Sequence, residues 1–213
     1  MKKINWKKLW LSLSFLALFA LWTGLLGVVD VQPIGPRESK VGFATINGWF
    51  HRLTGVHMGL YVITDWLGLV PIAVCLCFAI LGLVQWIRRG KIVKVDASIL
   101  LLGLYYIAVM AVYILFEYLV INRRPILIDG FLETSYPSST TMLVVCVMPT
   151  AAMQLRNRVK NITFRRVVCA IIYAFTAFMV VGRLLSGVHW LTDILGGILF
   201  SAGIVMLYDV ITE

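Results

Sequence analysis

Charge is scarce in this 213-residue chain: 14% of it is Asp, Glu, Lys or Arg, against 61% apolar residues. A soluble domain carries about 25% charged residues, and a chain of this length has no means of hiding so much apolar surface from water. A soluble enzyme is therefore excluded. With six prolines, no repeat and few polar residues, collagen-like, low-complexity and disordered structure go with it. Cysteine is scarce as well. Cys75, Cys77, Cys146 and Cys169 all lie in apolar runs and read as small buried hydrophobes rather than as a disulfide framework or metal ligands. The net charge of +9 would suit nucleic acid, but the placement of the charges points elsewhere.

Long apolar runs are what the sequence has in abundance. A bilayer core ~30 Å thick takes about 20 apolar residues in a helix. The runs at 8–29, 61–87, 97–121, 138–154, 166–185 and 188–211 fit that demand, the fourth being short. The expected fold is all-α, a polytopic membrane protein with six transmembrane helices forming one domain over 1–213. The first run is too long for the apolar stretch of a typical signal peptide and lacks a small-x-small cleavage site, so it reads as an uncleaved span.

Basic residues then set the orientation. Lys2, Lys3, Lys7 and Lys8 precede the first span, Arg88, Arg89, Lys91 and Lys94 follow the second, and Arg156, Arg158, Lys160, Arg165 and Arg166 separate the fourth from the fifth. These thirteen of the nineteen Lys and Arg residues share one side, which the positive-inside rule makes cytoplasmic. Both termini lie there, in the plasma membrane, and the charge needs no nucleic acid to explain it. In the first outer loop Phe43, Ile46, Trp49, Phe50 and Leu53 recur at helical spacing. They describe either an amphipathic helix in the outer interface or a lid packed on the bundle.

Four polar clusters meet the opposite face: Glu117, Asn122-Arg123-Arg124-Pro125, Tyr136-Pro137-Ser138-Ser139-Thr140, and the segment from Gly182 to Asp193. Ser138 and Ser139 open a helix, whose free N–H groups and dipole attract an anion, although Ser138 also suits plain N-capping. The forked guanidinium groups of Arg124 and Arg183 suit phosphate oxygens, although an isolated arginine there is as well explained as an interfacial anchor. His189 and Asp193, four apart, fall on one face of the sixth helix, where the carboxylate can orient the imidazole and free its other nitrogen as base or nucleophile. A His–Asp pair alone is more often structural. Joined to two arginines and a helix end, it reads as phosphoryl-transfer machinery.

On these residues the chain resembles the integral-membrane branch of the type-2 phosphatidic acid phosphatase family, lipid phosphate phosphatases with six spans and no metal requirement. That family carries Lys-x6-Arg-Pro, Pro-Ser-Gly-His and Ser-Arg-x5-His-x3-Asp. Here the third reads Gly182-Arg183-x5-His189-x3-Asp193, the first keeps Arg124-Pro125 with Glu117 at the lysine position, and the second keeps Pro137-Ser138 but continues Ser139-Thr140. The resemblance implies that His189 is the nucleophile that becomes phosphohistidine and Asp193 its orienting partner. It implies that Arg124, Ser138 and Arg183 hold the phosphate, with Ser139 and Thr140 at the helix end, and that no cofactor or metal takes part.

The family's second histidine, which protonates the leaving group, has no counterpart. A general acid contributes about 10²–10⁴-fold, and its loss matters most for a basic leaving group. A phosphate leaving from a diphosphate is far less basic than an alkoxide, since its second pKa is near ~6. The expected substrate is thus a phosphorylated lipid, by preference a polyprenyl diphosphate, dephosphorylated at the outer leaflet. Glu117 is a candidate proton donor, or else an ion-pair partner for Arg124 or Arg183, and His51 and His57 of the outer loop are lesser candidates. The alternative function is that of a catalytically impaired relative that binds a phosphorylated lipid as a receptor or transport component.

Overall fold

The computed structural model describes residues 4–212 and is all-helical apart from isolated bridges in its loops. The helices are α1 (Trp6–Leu26), α2 (Ala44–Thr54), α3 (Met58–Leu67), α4 (Leu69–Arg89), α5 (Ala97–Leu119), α6 (Ser139–Arg158), α7 (Ile162–Leu185) and α8 (Leu191–Thr212). Gly68 keeps right-handed helical backbone, so α3 and α4 form one rod from Met58 to Arg89.

Five helical stretches among the described residues are long and apolar enough to cross a bilayer: α1, α3–α4, α5, α7 and α8. The sequence reading expects six. The remaining segment is α6, which is 20 residues long but carries Thr140, Thr141, Thr150, Gln154, Arg156 and Arg158. Its neighbours explain that composition. Helices α4, α5, α7 and α8 all pack on α6, and a helix screened from lipid on every side has no need of an apolar surface. Its polar groups are satisfied inside the bundle: Thr150 Oγ1 donates to the Cys146 carbonyl at 3.0 Å and Gln154 Nε2 to Tyr208 Oη at 2.6 Å.

One end of the bundle is tied by ion pairs. Lys8 meets Asp209 at 2.8 Å, and Asp96 receives Arg89 at 2.9 Å and Arg158 at 3.0 Å. These contacts join the start of α1 to the end of α8, and the start of α5 to the ends of α4 and α6. The basic clusters read from the sequence thus gather at one end, with Lys2 and Lys3 outside the described residues. The loops 27–57, 120–138 and 186–190 meet at the other end.

Two features hold that loop end together. Helix α2 turns Ile46, Trp49 and Leu53 outward and buries Asn47, whose amide donates to Gly42 O at 2.8 Å and Thr192 Oγ1 at 2.9 Å. It is therefore docked on the start of α8 by one face and offers an apolar face by the other. Gly187 has φ +70°, and a Cβ there would stand 2.0 Å from the Gly55 carbonyl oxygen. Only glycine permits the loop before α8 to lie against the α2–α3 connection.

Candidate active site

The α5–α6 connection builds the first wall of the site. Helix α5 stops where Val120 turns left-handed (φ 44°). The chain then runs out and back as a narrow strap: Arg124 N donates to Glu133 O at 3.1 Å and Ser135 N to Asn122 O at 2.9 Å. The strap sets Arg124 beside Glu133 and brings Ser135 over the start of α8. Helix α6 begins next, with Ser138 N–H donating to the carbonyl of Asp193 at 3.1 Å. Close packing makes this possible, since a Cβ at Gly196 would lie 2.4 Å from the Tyr136 ring.

The second wall comes from α3 and α7. Arg183, in the last turn of α7, is 1% exposed and stacks over the Tyr61 ring at 4.9 Å, with its Nη1 3.5 Å from Asp65. Arg124 approaches the same ring at 5.9 Å, so the two guanidinium groups converge on one tyrosine. Cations near an aromatic face gain from its quadrupole. Arg124 Nε lies 3.0 Å from Glu133 Oε2 but is not directed along a hydrogen bond.

His189 completes the site from the loop between α7 and α8. Its Nδ1 is 3.2 Å from the Ser135 carbonyl oxygen and 3.1 Å from Ser135 Oγ. A carbonyl only accepts, so Nδ1 carries the proton and Nε2 keeps a lone pair. Asp193 does not touch the ring directly, its Oδ2 standing 3.8 Å from Nδ1. Ser135 lies between them and donates its hydroxyl to Asp193 Oδ2. The same carboxylate accepts from Trp190 N at 2.8 Å and from Asn122 Nδ2 at 3.3 Å. The expectation that His189 and Asp193 share a helix face is corrected here. Helix α8 starts at Leu191, two residues after His189, and Asp193 folds back to accept from the Trp190 N–H, as the third residue of a capping box does.

Burial without partners distinguishes this place from the rest of the molecule. Of the seven buried side-chain nitrogen and oxygen atoms left without a hydrogen bond among the described residues, five belong here: Arg124 Nε and Nη1, Arg183 Nε, Ser138 Oγ and His189 Nε2. Ser138 makes no side-chain cap on its own helix, so plain N-capping is not its use. Four donors and one lone pair, drawn from four separate segments, form a cradle for an anion with oxygens to share. Burial and the two neighbouring arginines hold the His189 imidazole well below its ordinary pKa, which keeps it neutral. A cavity of about 430 Å³ opens beside the cradle, lined by Arg124, His189, Ser139, Glu117, Glu133 and Tyr113 among others.

Several sequence-singled residues find other surroundings. Glu117 is exposed at the cavity rim and accepts from Thr134 Oγ1 at 2.6 Å. Because α5 ends at Leu119, Glu117 and Arg124 do not share a helix face, and the carboxylate beside Arg124 is Glu133. Thr140 sits in the first turn of α6, on a neighbouring apolar cleft of about 270 Å³ rather than on the main cavity. His51 and His57 turn to backbone carbonyls, Gly187 O at 3.1 Å and Thr54 O at 2.8 Å. Tyr61, Glu133 and Ser135 are the contributors that the sequence reading misses.

A family model, the PAP2 superfamily, matches residues 99–211, just over half of the chain. The chain belongs to the PAP2 superfamily. The matched stretch carries Arg124, Ser138, Arg183, His189 and Asp193, while Tyr61 and Asp65 come from the part before it. Among solved structures, a transmembrane PAP2-type phosphatidylglycerolphosphate phosphatase from Bacillus subtilis superposes with a TM-score of 0.60 over 94% of each chain, at 18% identity. At that identity the likeness establishes a shared PAP2 membrane fold. No curated protein sequence matches the chain.

Proposed function

We propose that this PAP2 protein is a lipid phosphatase that removes phosphate from a lipid phosphate or diphosphate at the outer leaflet through a phosphohistidine. The observation that carries the reading is the set of five buried polar atoms without a hydrogen bond on Arg124, Arg183, Ser138 and His189, of which Arg124 Nε alone has an ion-pair neighbour, Glu133. Arg124, Arg183 and Ser138 hold the phosphate oxygens, the N-terminus of α6 at Ser139 and Thr140 adds its dipole, and His189 Nε2 attacks phosphorus. Ser135 and Asp193 steady the positive imidazole that results. The positive charge needed for phosphoryl transfer comes from the two arginines, without a metal.

An apolar annex to the phosphate cavity supports a lipid substrate. Tyr113, Ser139 and Met142 line both the main cavity and the cleft of about 270 Å³. Ile72 links that cleft to a further apolar space of about 610 Å³ between α4 and α5. A headgroup at Arg124 thus has a path for its chain along the bundle. With α6 counted as the sixth crossing and the basic end cytoplasmic, the cradle faces outward. Thr140 has no acidic proton at neutral pH, so an alkyl ester needs a donor from elsewhere in the cavity, whereas the phosphate leaving from a diphosphate does not.

The testing experiment is phosphate release by purified protein from a panel of lipid phosphates and diphosphates, wild type beside His189→Ala. Release that disappears in the variant is the expected result. Binding of these lipids with no release by the wild type would make the chain a lipid-phosphate receptor instead.

A further inference from the structure

We infer that Tyr113 is the proton donor to the leaving group when the substrate is an alkyl phosphate. The inference rests on the phosphatase reading of the site and adds the group that this reading leaves open. When His189 Nε2 forms its bond to phosphorus, the P–O bond to the alcohol breaks and the electron pair goes to an alkoxide oxygen. His189 cannot protonate it, because Nε2 is the attacking atom and Nδ1–H faces Ser135. The proton must come from another wall of the cavity.

Those walls offer few sources. Glu133 stands as the counter-charge of Arg124, and Glu117 accepts a hydrogen bond from Thr134, so each carboxyl is already engaged. Tyr136 is turned away, its hydroxyl 2.7 Å from Thr23. Tyr113 differs from all three. It rises from the inner face of α5, one turn before Glu117, lines the same cavity as His189, and lines the apolar cleft where Thr140 lies. It therefore stands at the junction between the phosphate and the chain, where the bridging oxygen of a bound lipid has to be. A phenol carries its proton at neutral pH, with an ordinary pKa of ~10, and is far more acidic than an alcohol. Its charged neighbours are Glu117, Arg124 and Glu133, and Arg124 is the one on which a transient phenolate draws.

The step balances. Tyr113 gives its phenolic proton to the alkoxide as the alcohol departs, leaving phenolate and phosphohistidine. The phenolate then takes a proton from water, the water oxygen bonds to phosphorus, the N–P pair returns to Nε2, and inorganic phosphate leaves. A diphosphate bypasses the first transfer, since its leaving phosphate needs no proton.

The test compares wild type with Tyr113→Phe on an alkyl phosphate and an alkyl diphosphate of the same chain. The expected result is a loss of about 10²–10⁴-fold in kcat on the monophosphate with a far smaller loss on the diphosphate, whose turnover also reports an intact fold. Equal losses on both substrates, or none on the monophosphate, overturn the inference. So does a monophosphate-selective loss in Glu117→Gln that Tyr113→Phe fails to show. A wild type inactive on both lipids refutes the phosphatase reading itself, a result distinct from any of these.

Discussion

Ser135→Ala is the substitution that tests the bridging geometry most sharply. The side chain removed is one hydroxyl, yet it is the link between the imidazole and the carboxylate: it lies 3.1 Å from His189 Nδ1 and donates to Asp193 Oδ2. The variant keeps the backbone carbonyl at 3.2 Å, so the Nδ1–H tautomer survives. Asp193 also keeps Trp190 N–H and Asn122. What disappears is the path by which negative charge reaches the ring as Nε2 is phosphorylated. A hydrogen bond to a charged group is worth about 1.5–3 kcal/mol, and each ~1.4 kcal/mol of lost transition-state stabilisation is tenfold in rate. The expected fall in kcat is thus roughly 10- to 150-fold, with KM little changed because the phosphate ligands are untouched.

The assay is steady-state phosphate release in lipid–detergent micelles, with thermal unfolding as the control for folding. A double-mutant cycle adds the decisive arm. If Ser135 transmits the effect of Asp193, then Ser135→Ala and Asp193→Asn together cost little more than the worse of the two alone. Ser135→Thr, which retains a hydroxyl, recovers most of the rate. Wild-type kcat in Ser135→Ala, or losses that simply add in the double variant, would refute the bridge and leave Asp193 acting across 3.8 Å unaided.

Four further outcomes follow from the same geometry. His189 must be neutral to attack, and its pKa is held well below the ordinary ~6.5, so kcat/KM stays high as pH falls through 6.5 and drops only below it. Arg124→Gln removes a positive neighbour, raises the His189 pKa and shifts that acid limb to higher pH, as a pH–rate profile on a single substrate will show. Gly103 lines the apolar space between α4 and α5, and a Cβ there meets nothing within 4 Å. Gly103→Phe therefore folds but obstructs the chain path, raising KM for a long-chain lipid phosphate several-fold and leaving a short water-soluble ester unaffected. Finally, inorganic phosphate binds the folded cradle alone, so a concentration of 100 Kd stabilises the protein by about 2.7 kcal/mol. The accompanying rise in Tm disappears in Arg183→Gln.

The membrane character, the two opposed ends and most of the cradle were legible in the sequence because they rest on composition and spacing. Apolar runs announce α1, α3–α4, α5, α7 and α8, and the basic clusters announce which ends lie together. The misses have two physical causes. Helix α6, read from the sequence as a short apolar run over 138–154, is more polar than a lipid-facing span, because its polarity reports burial among helices rather than contact with lipid. The finer site geometry depends on backbone that departs from helix: α5 stops at Leu119 and α8 starts only at Leu191. Helical spacing put Glu117 in line with Arg124 and His189 above Asp193, and both alignments dissolve once those ends are placed. Ser135, Glu133 and Tyr61 gave no signal, since a strap between helices and an aromatic ring on another rod meet the site only through tertiary packing.

The electrostatics of the cradle bear on why the site is built this way. Arg124 and Arg183 are almost wholly buried, yet the carboxylates nearest to them, Glu133 and Asp65, have side chains 42% and 58% exposed. Counter-charge that stands half in water compensates a buried cation poorly, and the two cations also repel each other across Tyr61. The site is thus under electrostatic strain that a phosphate relieves better than either carboxylate can. Part of this strain is useful, because burial and the positive field that strains the site together keep His189 unprotonated. A dianionic phosphate entering the cradle cancels the field only as it reaches the nucleophile. Charge balance and nucleophilicity are in this way coupled to the presence of substrate. The coupling depends on Asp65 and Glu133 staying outside: a carboxylate buried against either arginine would quiet the field and occupy the place of the phosphate oxygens.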